Sequence, residues 1–246
     1  MRFSLSCLAA ALIAAPALAQ TSLPPPIASA AGERPDPPPE EEMATDGRAG
    51  WVVDAESGCW LWAANPLPEL AVTWSGSCPE GPAEGQGRGE WRFPLAGQPA
   101  VERFEAPFRN GRAHGRGIHE YATGDRYEGA FRDGQHHGEG TLETAAGDRY
   151  TGEFHEGVAQ GQGRFTWADG SRYEGAFREG LFHGQGVFSW AGGNRYEGAF
   201  REGFAHGEGE YFHTSQGWFR GEWERGCFRG EDGRTAWVGR DAEDCD

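Results

Sequence analysis

A segment of 23 residues returns along this chain with its rings and glycines in the same places. "RYEGAFREGLFHGQG" at 172–186 recurs as "RYEGAFREGFAHGEG" at 195–209 and "RYEGAFRDGQHHGEG" at 126–140. The first position of each copy is aromatic: Phe104, Tyr127, Tyr150, Tyr173, Tyr196, Phe219. Four residues later stand Phe108, Phe131, Phe154, Phe177, Phe200 and Trp223. Glycine holds the eighth position (Gly111, Gly134, Gly157, Gly180, Gly203, Gly226) and the twelfth (Gly115, Gly138, Gly161, Gly184, Gly207, Gly230). A worn copy, "WSGSCPEGPAEGQG", starts at Trp74, thirty residues before Phe104, and its seven extra residues are placed in the loop around "RFPLAGQPA". A period of this size marks a repeat architecture, whose working part is a long surface and not one pocket.

Each unit reads as a β-hairpin. Tyr173, Gly175 and Phe177 alternate with Glu174, Ala176 and Arg178, the two-residue period of a strand. "REGLF" turns the chain, with Gly180 free to take positive φ. The return strand carries Gly184, Gly186, Phe188 and Trp190 on one face, and "AGGNR", "ADGSR" and "AAGDR" turn into the next unit. The same structural positions recur as Tyr127, Gly129 and Phe131, as Tyr150, Gly152 and Phe154, and as Tyr196, Gly198 and Phe200. Glycines beside rings leave pits in which rings from neighbouring strands lie against backbone. Each glycine costs roughly 0.5–1 kcal/mol in a strand, which burial of a ring, worth roughly 1.5–3 kcal/mol, outweighs. Gly and Pro together make 55 of 246 residues, a level that borders on disorder, but the strict period and 31 aromatics oppose it. A lone hairpin is not stable, so the units must stack.

These residues resemble the membrane occupation and recognition nexus (MORN) repeat, with its signature Y-x-G-x-F-x-x-G-x-x-H-G-x-G. "YEGAFREGLFHGQG" (173–186) and "YEGAFREGFAHGEG" (196–209) match every fixed position. "YTGEFHEGVAQGQG" departs at Gln160, "FEAPFRNGRAHGRG" at Phe104 and Ala106, and the copy from Phe219 fades after Gly230. The resemblance covers about 74–233, with units near 74, 104, 127, 150, 173, 196 and 219. It implies an all-β fold, an elongated, twisted array of stacked antiparallel hairpins, in an exported bacterial type of the family, with binding of proteins or lipid headgroups as the usual role. Residues 49–73, rich in Trp and Val, read as an N-terminal β cap over the first open sheet edge, and 234–246 as a C-terminal cap tail.

Ahead of the array, residues 1–19 have the form of a secretory signal: Arg2, an apolar run from Phe3 to Ala15, and Ala17-Leu18-Ala19 before Gln20. The run is too short for a membrane-spanning helix. Residues 20–48, with their prolines and Glu40–Glu42, read as an extended, disordered linker. Every cation is arginine, and removal of the signal leaves 21 Arg against 38 acidic residues. So acidic a chain is repelled by nucleic acid and disfavours anionic membranes. The four remaining cysteines are an even number in an exported chain, read as two disulfides with three possible connectivities. A stack holds Cys59 and Cys78 at one end and Cys227 and Cys245 at the other, and bridged Cα atoms lie within about 7 Å, so the pairs are Cys59–Cys78 and Cys227–Cys245.

Little of this points to chemistry. His114, His137, His183 and His206 form a row, but equivalent residues lie two strands apart, roughly 10 Å, too far to share a metal; they read as supports for the turn before each His-Gly pair. His136 and His137, adjacent in a strand, point to opposite faces. Glu128, Glu174 and Glu197 face the same spacing limit as acid–base pairs. With Arg126/Arg132, Arg172/Arg178 and Arg195/Arg201 they read as a salt-laced solvent face. No nucleophile motif or phosphate loop is present, and about thirty ordered residues outside the units are too few for a catalytic core. The expectation is a non-enzymatic scaffold, without cofactor or catalytic or metal residues, binding an unidentified protein in the cell envelope, periplasmic or extracellular. The alternative is association with envelope lipids through the arginine and aromatic rows. The candidate contact residues are Phe182 and Phe204, taken as exposed anchors at the turns, with Arg178 and Arg201 beside them.

Overall fold

Alternation of ring or glycine with polar residues produces strands throughout the computed structural model, which describes residues 37–45 and 47–239. Among these there is no α-helix; one 3-10 turn, Glu40–Glu42, precedes the strands. The chain divides into two units between His137 and Gly138.

The first unit holds β1 (Gly50–Val53), β2 (Trp60–Ala63), β3 (Ala71–Trp74), β4 (Gly85–Leu95), β5 (Gln98–Arg109), β6 (Arg112–Ala113), β7 (Gly115–Glu120) and β8 (Arg126–Arg132). β1 and β2 pair as a separate two-stranded sheet. β3, β4, β5, β7 and β8 follow one another in a single antiparallel sheet, with β6 on β5. β9 (Gln135–Glu143) contains the division, and the second unit continues with β10 (Arg149–His155), β11 (Val158–Thr166), β12 (Arg172–Arg178), β13 (Leu181–Ser189), β14 (Arg195–Arg201), β15 (Phe204–His213), β16 (Gly217–Glu224), β17 (Cys227–Arg229) and β18 (Thr235–Trp237). These pair in chain order, each antiparallel to the next.

The hairpins β5–β6, β8–β9, β10–β11, β12–β13, β14–β15 and β16–β17 each close on a two-residue turn in which both residues have positive φ, as at Glu179 (53°) and Gly180 (76°). That is the type I′ geometry whose twist suits a hairpin. The sequence identifies the glycine; the left-handed glutamate is an addition from the structure. Two extra residues, Gly184 and Gln185, lie between the pairs Ala176↔His183 and Gly175↔Gly186. Because the insertion is two and not one, ring-bearing positions keep their face on both sides of it.

The first-position ring lies along its own strand. In the unit that starts at Tyr173, that ring covers Gly175 and, across the pair, Gly186; a Cβ on either would fall within about 2.5–2.7 Å of the Tyr173 ring or hydroxyl. The ring thus fills the pit at Gly186 on the neighbouring strand, as the sequence suggested, and also the one at Gly175 on its own strand. Each hydroxyl donates to the carbonyl three residues on: Tyr127 to Ala130 (2.8 Å), Tyr150 to Glu153 (2.9 Å), Tyr173 to Ala176 (2.9 Å) and Tyr196 to Ala199 (3.0 Å). Burial pushes these phenols up, Tyr127 to about 12, so they remain protonated donors. The rings then meet edge to face in a continuous series: Phe154–Tyr150 at 5.0 Å, Tyr150–Phe177 at 4.9 Å, Phe177–Tyr173 at 5.2 Å, Tyr173–Phe200 at 5.1 Å, Phe200–Tyr196 at 5.0 Å and Tyr196–Trp223 at 5.1 Å. This geometry adds to area burial.

Successive hairpins are also bonded at both ends. Turn N–H groups of Gly180, Gly203 and Gly226 donate to the carbonyls of Ala159, Phe182 and Ala205 (3.0, 3.0 and 2.7 Å). At the other end Asp148, Ser171 and Asn194 side chains accept from the backbone N–H of Ala168, Ala191 and Thr214 (2.9, 3.1 and 3.0 Å).

Trp74 occupies the tyrosine place of the worn copy: its ring fills the space above Gly76 and Gly87. The extra residues before Phe104 do not form a loop. They lengthen β4 and β5 to 11 and 12 residues, closed by a tight turn at Ala96 and Gly97, both at positive φ. The linker expected over 20–48 ends earlier than its sequence suggested. Ala44 donates to the Trp51 carbonyl (2.9 Å) and the Trp51 indole donates to Glu42 (3.2 Å), so residues 42–45 are tied to β1.

The cap does more than neighbour the sheet edge. β2 exchanges backbone bonds with turn segments, Trp60 donating to Gly81, Ala83 to Trp60, and Trp62 to Gly111. Arg112 sits 4.0 Å over the Trp62 ring. Asp54, buried, accepts from the Trp74 N–H (3.0 Å) and Ser57 hydroxyl (2.6 Å). Cys59 and Cys78 are disulfide-bonded, with Cα atoms 5.5 Å apart. Cys227 is disulfide-bonded too; its expected partner Cys245 lies outside the described residues, as do the signal segment 1–19, most of the linker and the tail beyond 239. With a separation of 19 residues, reduction of Cys59–Cys78 is expected to cost about 3 kcal/mol. Hydrogen exchange with and without reductant checks this, the loss falling on β1, β2 and residues 75–84 and sparing β12–β15.

Candidate interaction surface

Strand alternation gives each repeat an aromatic face and an opposite face carrying arginine and glutamate. The opposite face is laced as its composition implied: Arg126–Glu128 (2.7 Å), Arg149–Glu143 (2.6 Å), Arg195–Glu197 (2.5 Å), Arg164–Glu174 (2.9 Å) and Arg220–Glu210 (3.1 Å). Glu174 thus pairs across strands with Arg164, not with Arg172 or Arg178. Being exposed, such pairs contribute little stability, about 0–1 kcal/mol each. Their effect is on what the face attracts.

The two candidate rings fall on different faces. Phe182 pairs in register with Phe177, is 2 % exposed and stacks on Tyr173 at 3.8 Å. It is a core ring, and its assignment as an exposed anchor is corrected. The register explains it: a two-residue turn at 179–180 places residue 182 opposite Phe177 and hence on the aromatic face. The same column holds Ala113, His136, Ala159, Ala205 and Phe228, all buried. Phe204 pairs with Arg201 and is half-buried on the Arg/Glu face. Its column (Arg112, Gln135, Val158, Leu181, Cys227) is nowhere fully buried. Arg178 and Arg201 are both exposed beside this column, Arg178 paired in register with Leu181.

Phe204 lines a shallow concavity with Arg201, Glu202, His206, Glu224 and Arg225. In the last hairpin the order of charge is reversed, Glu224-Arg225 standing where earlier turns carry Arg201-Glu202. Two tryptophans that the repeat pattern did not single out lie on the same face, outside this concavity. Trp218 is 41 % and Trp237 47 % exposed. Trp218 pairs with Phe212 and Arg220 lies 4.6 Å over its ring, while Trp237 pairs with Cys227. The available signal was positional, since Trp218 stands where earlier copies have Arg172 and Arg195. The histidine row, His114, His137, His183 and His206, is half-buried; among the described residues no His, Cys, Asp and Glu converge as a metal-holding group.

Stacked antiparallel hairpins with an uninterrupted ring series and a laced second face define an all-β repeat protein. The family model for the MORN repeat matches five consecutive segments, 108–126, 127–149, 150–172, 173–195 and 196–217. Residues 108–217 of this chain are five MORN repeats, and the pit-filling ring at Trp74 extends the same construction ahead of the matched segments. MORN repeats occur in scaffolds for protein or lipid interaction and are generally non-catalytic. No curated protein matches the chain.

Proposed function

We propose that this protein is an exported, non-catalytic scaffold of the cell envelope that holds a protein partner on the Arg/Glu face of its C-terminal repeats. The observation that carries this is that half-buried Phe204 and exposed Trp218 and Trp237 stand on a face otherwise occupied by paired charges. Exposed rings beside arginine supply contact area at low rotamer cost and are the residue types that dominate protein interfaces. Arg178 and Arg201 flank the column and set orientation. The interleaved glutamates and a net charge of −16 weigh against anionic lipid. Export is supported by the signal-like segment 1–19 and by a disulfide that suits an oxidising compartment.

Capture from envelope extract by wild type, Phe204→Ala and Phe182→Ala, read by quantitative mass spectrometry, tests the assignment. Phe204→Ala is expected to leave stability within about 0.5 kcal/mol and to deplete one captured protein at least tenfold. Phe182→Ala is expected to cost near the lower end of about 3–5 kcal/mol, because Ala159 and Ala205 fill that column in other repeats. Unchanged capture by Phe204→Ala, or stronger flotation with anionic than with neutral liposomes, would overturn the reading. A mature N-terminus other than about Gln20, found by mass, would overturn export by this signal.

A further inference from the structure

One stretch of the aromatic face is built from titratable rings. His119 on β7 is buried and sandwiched between Phe104 and Tyr121, with centroids 3.7 Å away on each side. His136 at the start of β9 is buried and stacks on Tyr127 at 3.5 Å, nearly parallel. Its Nε2 and the Tyr121 hydroxyl are 3.1 Å apart, and the two imidazoles are 6.1 Å apart. Two periods further along the chain, at 23 residues per step, the same three places are held by Phe165, Trp167 and Phe182, rings that do not titrate. Phe188 also occupies the column of His119, and Trp190 that of Tyr121. Phe182 even repeats the stack, at 3.8 Å on Tyr173. Histidine is therefore not required for the geometry.

The surroundings favour neutral rings. From β5, Glu102 approaches His119 Nε2 at 3.6 Å and favours its charged form, but the desolvation that comes with burial outweighs it; Phe104 and Phe131 present carbon only. Tyr121 and Tyr127 face the pair as phenols, with Asp125 and Arg116 acting on those phenols from further out. Each imidazole also lies in the other's field, which opposes charging both.

We propose that His119 and His136 make the hairpins of residues 104–137 an acid-opened element of the array, closed while both rings are neutral and opened when they take up protons. Burial holds both imidazoles below the ordinary 6.5, His136 at about 3. The folded form thus refuses protons that the open form accepts. Stability of this element is full above pH 6.5, falls as pH drops below 6.5, and stops falling near 3 for His136. From pH 7 to pH 5 the opening constant rises about 25-fold from His136 alone, and His119 adds in the same direction. Within that window ordinary carboxylates stay ionised.

Amide hydrogen exchange on the full chain at pH 7 and pH 5 tests this, with β12–β15 of the same molecule as reference at each pH. Amides of β7 and β8 are expected to lose at least about 25-fold protection relative to the reference. The His119→Phe/His136→Phe variant is expected to abolish that loss. Equal change in both regions, or an undiminished loss in the variant, would overturn the proposal. Imidazole titration of the folded wild type by NMR decides it independently, should the variant not fold. Midpoints well below 6.5 support it, and a midpoint near 6.5 for both rings overturns it.

Discussion

Tyr173→Ala is expected to cost about 3–5 kcal/mol, the range for removing a large buried ring, and to lie at its upper end. The ring is fully buried, and it touches Phe177, Phe182 and Phe200 at once. Its loss opens the pit between Gly175 and Gly186, where no side chain exists to collapse inward. It also leaves the Ala176 carbonyl without its 2.9 Å donor. Tyr173→Phe separates the two effects and is expected to cost about 1 kcal/mol, the worth of one hydrogen bond. Urea denaturation followed by tryptophan fluorescence measures both. A value below 1 kcal/mol for the alanine variant would mean that the ring series is not what joins the hairpins.

Gly186→Leu is expected to be comparably severe for the opposite reason. A Cβ there would stand 2.5–2.7 Å from the Tyr173 ring and hydroxyl, closer than carbon atoms approach. The strand is bonded on both sides, so the ring must leave and its burial is forfeited, about 3–5 kcal/mol. Gly192→Ala is the control. Nothing lies within 4 Å of its Cβ position and its φ is not positive, so the expected change is within about 0.5 kcal/mol. Differential scanning calorimetry of the two variants gives the comparison directly.

The hairpins were legible because Tyr, Gly and Phe recur at fixed spacing, and a side chain that needs a bare neighbour announces both partners. The cap disulfide was legible because a stack separates its ends. What escaped was register. Calling Phe182 exposed required ignoring that a two-residue turn pairs it with Phe177, and the turn length is visible in Glu179-Gly180 only once both are known to be left-handed. Trp218 and Trp237 escaped because they break the pattern, and a pattern search favours what conforms. The meaning of His136 lies not along the chain, with His137, but across it, in its column with Ala159 and Phe182.

From β10 onward the turn bonds joining one hairpin to the next span 20 or 21 residues along the chain, as from Gly203 to Phe182 and from Thr214 to Asn194. Nothing in that wiring records how many hairpins precede or follow. Excising residues 173–195 would bring Tyr196 to the place of Tyr173 and hand each severed bond an equivalent partner. Array length is therefore a quantity that unequal crossing-over can change in steps of 23 residues without damaging a join.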